Sequence, residues 1–131
     1  MKQSILFIII TLFIFSCQKK DTTSPDPSKV AITISSPANG QVFHIGDTAL
    51  LHATVSYPSE LHGYEMKVTD SATGNVLFDA DEHVHDDHFD ISQSFVYADT
   101  VAATLKLELS VEIDHNGNEK DTALYFYYRK R

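Results

Sequence analysis

An all-β sandwich is the fold class this sequence predicts, and three observations predict it. The first is Leu105 to Ile113, nine residues in which apolar and polar side chains alternate without a fault. A strand turns successive side chains to opposite faces, so Leu105, Leu107, Leu109, Val111 and Ile113 share one dry face. On a helix the same five would be spread around the cylinder. The second is the punctuation: Ser36-Pro37-Ala38-Asn39-Gly40, Ser71-Ala72-Thr73-Gly74-Asn75 and Asp114-His115-Asn116-Gly117-Asn118 are turn clusters. They separate extended runs at spacings of roughly ten residues, the signature of a sandwich. The third is that no run beyond residue 30 reads as a convincing helix.

The chain has 131 residues, room for one domain. Residues 1–16 read as a signal peptide. Met1-Lys2-Gln3 is a short basic start, and Ile5 to Phe15 is an apolar run broken only by Thr11, too short to span a bilayer comfortably. Ile14-Phe15-Ser16-Cys17 closes it, and Cys17 is the only cysteine. This end resembles the lipobox of bacterial lipoproteins, which implies cleavage before Cys17 and its acylation. A single acyl chain anchors only marginally, so the several chains implied by the resemblance would hold the protein to a membrane essentially permanently. Residues 17–29 then form the lipidated cysteine and a flexible tether, rich in Pro, Ser, Thr and charge.

Residues 30–131 form the domain. Val30, Ile32 and Ile34 alternate with polar or small residues in a first strand, and Val42 to Ile45 is a short extended piece. Thr48 to Ser56 alternates with Leu51, Ala53 and Val55 inward, and Tyr57-Pro58-Ser59-Glu60 breaks it. Leu61 to Asp70 places Tyr64, Met66 and Val68 on one face. Val76 to Phe78 starts a shorter strand, and Phe89 to Tyr97 is extended again. The opening strand then returns through Asn116-Gly117 into Thr122 to Tyr128, since Asn-Gly tolerates the positive φ of a tight hairpin. The total is about seven strands, with the last hairpin as the central pair.

After Phe78 comes an unusual composition: residues 79–90 hold three histidines and six carboxylates. His83-Val84-His85 on an extended strand points both imidazoles to the same side. With His88 folding back, His83, His85 and His88 make a candidate ligand set for zinc, copper or nickel. His44, His52, His62 and His115 are further candidates from elsewhere in the fold. The competing reading is a charged sheet edge or loop that deters edge-to-edge pairing.

The net charge is −8, which argues against nucleic acid or an anionic lipid surface as partner. No Gly-x-Ser-x-Gly elbow, His-Glu-x-x-His motif or phosphate-cradling glycine loop occurs, so the expectation is a non-enzyme. With Leu124, Phe126 and Tyr128 inward, Tyr125 and Tyr127 face outward, as cross-strand packing partners or as a platform for a glycan or an envelope protein.

The run Ile34-Ser-Ser-Pro-x-x-Gly-x-x-Phe-x-x-Gly-Asp47, followed by an alternating strand and a late Asp114-x-Asn-Gly-Asn118 turn, resembles bacterial immunoglobulin-like domains. With the lipobox and the His-rich middle segment, the chain is similar to Bacteroidetes lipoproteins of the uncharacterised DUF4625 type. The resemblance implies an immunoglobulin-like sandwich lipid-anchored to the outer membrane, periplasmic or surface-exposed. It implies a binding or structural module there, and envelope metal binding is the alternative.

Overall fold

The structure is a computed structural model and describes residues 24–131. The expected signal peptide, Cys17 and the first part of the tether lie outside the described residues. Among the described residues a 3-10 turn, Pro27–Lys29, precedes six strands: β1 (Ala31–Ser36), β2 (Val42–His44), β3 (Thr48–Asp70), β4 (Val76–Val96), β5 (Ala103–Glu112) and β6 (Glu119–Arg129). Along the sheet the order is β1-β3-β5-β6-β2, and β4 pairs with the other edge of β3. All pairings are antiparallel except β2 with β6.

β3 and β4 dominate the architecture, with 23 and 21 residues. The first half of β3 pairs with β1, from Ala31 opposite Ser56 to Ser36 opposite His52. Its second half pairs with β5, from Gly63 opposite Glu112 to Asp70 opposite Leu105. One strand therefore serves two layers, and the long β3–β4 ribbon bends between them. Phe78 and Phe95 measure the bend. An extended strand would hold them more than about 50 Å apart, yet their ring centroids are 6.2 Å apart. Phe95 also meets Phe126 edge-on at 6.4 Å, so side chains from the two layers close on one another.

Six strands stand where the periodicity suggests about seven, because two expected breaks are bends. Tyr57–Glu60 does not end a strand; the register shifts between Ser56 and Leu61 and again between Leu61 and Gly63. Pro58 cannot donate to the ladder and is accommodated at such a bulge. Residues 79–90 are likewise strand throughout, laddered onto β3 from Lys67 opposite Asp79 to Thr54 opposite Asp90.

The core follows the expected alternation. Leu105, Leu107, Leu109, Val111 and Ile113 are buried, as are Leu51, Ala53, Val55, Tyr64, Met66 and Val68. Phe126 and Tyr128 complete it from β6, with Phe43 stacked on Tyr128 at 5.5 Å. Tyr128 keeps its hydroxyl satisfied by donating to the Asp47 carbonyl at 2.9 Å. Burial of each large apolar side chain contributes about 1.5–3 kcal/mol, and the wet face of β5 carries Lys106, Glu108, Ser110 and Glu112.

Candidate metal centre

Three separate segments bring histidines to the bent end of the sandwich. His62 comes from the bulge of β3, His83 and His85 from β4, and His115 from the β5–β6 turn. Their ring centroids lie 4.2 Å apart for His62–His115, 4.8 Å for His83–His85 and 5.0 Å for His62–His85. His83 and His115 stack nearly parallel at 5.5 Å. Glu60 joins them, its Oε1 3.1 Å from Nδ1 of His85.

Local chemistry explains each placement. His83 and His85 share a side because they are two residues apart on a strand. His62 lies between Leu61 and Gly63, both buried, at the point where the ladder slips. Gly63 is what lets β3 come so close to β4: a Cβ there would stand 2.5 Å from the Glu82 carbonyl oxygen, a backbone atom with no room to yield. His115 is held by the turn around it. Asp114 accepts from the backbone N–H groups of Asn116 at 2.9 Å and Asn118 at 3.2 Å, and from the Asn118 amide at 2.8 Å. The Asn118 side chain, with the backbone donors behind it, holds the Asp114 carboxyl below the ordinary aspartate value. Gly117 supplies the positive φ of 84° that the turn needs.

The ligand atoms of Glu60, His62 and His85 all lie within 4.8 Å of one another. Tetrahedral coordination at ~2.1 Å sets ligands roughly 3.4 Å apart, and Glu60 and His85, the two that would have to move inward, are exposed. Nδ1 of His62 is buried and has no hydrogen-bond partner. A buried polar nitrogen left without a partner costs free energy, and a metal ion is one way to use its lone pair. Imidazole and carboxylate together suit zinc, copper(II) and nickel.

The surroundings are negative. Beside His83 a cavity of about 280 Å³ is lined by Glu65, Asp81, Glu82, Glu112 and Glu119. Tyr64 donates its hydroxyl to Glu82 at 3.1 Å, and burial raises the phenol above its ordinary value. Such a concentration of carboxylates raises the local cation concentration at the histidines.

Of the three histidines expected as ligands, His83 and His85 come together and His88 stands apart. His88 lies opposite Ser56 in the other half of the ladder, exposed, and takes no part in these ring contacts. Two further candidates, His62 and His115, sit in the cluster. The other two do not: His44 lies 3.6 Å from Asp47, and His52 places Nδ1 3.3 Å from the Ile91 carbonyl. Glu60 is a member that sequence reasoning missed. Of the outward tyrosines, Tyr125 is 44% exposed, whereas Tyr127 lies beneath the Arg129 guanidinium, 4.8 Å from its ring centroid.

No family model matches the chain, and neither does any curated protein. Among solved structures it is similar to the CARDB domain of a Pyrococcus furiosus protein, solved in complex with di-metal ions. The identity is 10%, the coverage 74% of this chain and 91% of that one, and the TM-score 0.45. A likeness that loose leaves function open.

Proposed function

We propose that this chain is a non-enzymatic module of the cell envelope whose sandwich binds a divalent transition-metal ion. Glu60, His62 and His85 supply the ligand atoms, with the rings of His83 and His115 packed beside them. The observation that carries this reading is the convergence of four imidazoles from three segments that are distant in sequence. A solvated charged edge has no need to gather imidazole rings onto one spot, and the buried Nδ1 of His62 offers a lone pair there. An ion seated there would tie the β3 bulge to β4, so binding would also stabilise the fold.

The setting we propose is the one the N-terminus suggests: acylation at Cys17, a tether to about Lys29, and the domain held at the outer membrane. Calorimetric titration with zinc, copper(II) and nickel, beside a His83→Ala/His85→Ala variant, tests the metal reading. Binding by the parent that is lost in the variant is the expected result, and identical weak binding by both overturns it. Incorporation of labelled palmitate that disappears in Cys17→Ser tests the anchor.

A further inference from the structure

We infer that the bound ion takes a second, small-molecule ligand: an apolar organic carboxylate seated in the cavity between the tether and the metal centre. This deepens the metal-binding reading and rests on it. The cavity, about 460 Å³, lies within the range of small-molecule sites. One wall is the last part of the tether, with Pro25, Asp26 and Lys29, and another is the β3 bulge, with Tyr57 and Pro58. Glu60 and His62, two of the three groups whose ligand atoms approach most closely, line it as well. An ion held by them stands at the cavity wall.

Three protein ligands leave a transition-metal ion with an open position, which water or an exogenous ligand fills. The charges decide which ligand suits. Without metal the wall carries the Asp26 and Glu60 carboxylates against the Lys29 ammonium, a net negative lining that repels an anion. A divalent ion reverses that sign. Tyr57 adds a directional group: its oxygen accepts from the Asp26 N–H at 3.1 Å and retains its O–H as a donor. Pro25, Pro58 and the buried Ile113 give the remaining wall an apolar character. A carboxylate bound to the ion, with its apolar body against the prolines, satisfies all of these at once. The anion therefore binds after the metal and not before it.

The full-length chain in detergent, with and without zinc, is titrated calorimetrically with benzoate. This probe pairs a carboxylate with an apolar body and competes only weakly for free zinc. Saturable binding to the zinc-loaded protein and none to the metal-free protein is expected. Tyr57→Phe should weaken benzoate at least tenfold while zinc affinity stays within threefold. Zinc binding with no benzoate binding overturns the co-ligand and leaves the metal centre standing. Equal benzoate affinity with and without zinc also overturns it. Failure to bind zinc removes both readings.

Discussion

β5 and the middle of β4 are both strands, and they are built on opposite principles. β5 lies between β3 and β6 and hides every second side chain, so its alternation is complete and its side chains are committed to the core. β4 from Asp79 to Asp90 pairs on one side only, and Val84 and Phe89 are the only large apolar residues it offers to the core. Its backbone ladder with β3 holds it in place, which leaves its side chains available to solvent and to chemistry. A strand can thus be specified by its neighbour when its own pattern says nothing.

The difference can be broken most severely from the β5 side. Leu107→Ala removes a fully buried side chain between two layers and should cost about 2–5 kcal/mol in urea unfolding. His83→Ala, on the exposed stretch of β4, should stay within about 0.5 kcal/mol without metal. Comparable losses in the two would erase the distinction.

Gly63→Ala attacks the junction where the regions meet. The new Cβ meets the Glu82 carbonyl, so the bulge must open, at a cost of about 1–3 kcal/mol. Because His62 moves with it, zinc affinity should fall at least tenfold even though no ligand has been changed. Unaltered affinity would mean that the bulge does not position His62.

A gentler probe is pH. The Asp114 carboxyl is depressed in the folded state by the Asn118 side chain and the turn N–H groups. Its stabilisation is present above the ordinary aspartate value of 3.8 and is lost as pH falls through the lower folded value. Asp114→Ala should therefore flatten the acid limb of the stability–pH curve, measured by thermal unfolding from about pH 2 to 5. An unchanged acid limb would show that the turn around His115 is held by something else.

How much of this could be read beforehand follows the same division. The β5–β6 hairpin, its Asn-Gly turn and its inward Phe126 and Tyr128 were legible because alternation and turn chemistry are local. So was the inward face of Tyr64, Met66 and Val68. The continuity of β3 and β4 was not, since bulges and a proline interrupt periodicity in the same way as a loop does. At the site, spacing alone pairs His83 with His85. Nothing local brings in His62, Glu60 or His115, whose proximity comes from a register slip and from the closing of a distant hairpin. His88 looks equivalent in sequence, but the bend of the ribbon carries it to the other layer.

The most direct measurement is X-ray absorption at the zinc edge on the zinc-loaded protein, comparing His62→Ala with His88→Ala. A shell of nitrogen and oxygen at about 2.0–2.1 Å with imidazole scattering is expected. That scattering should diminish in His62→Ala and stay unchanged in His88→Ala. A shell without imidazole, or one that loses a histidine only in His88→Ala, would contradict the proposed metal centre.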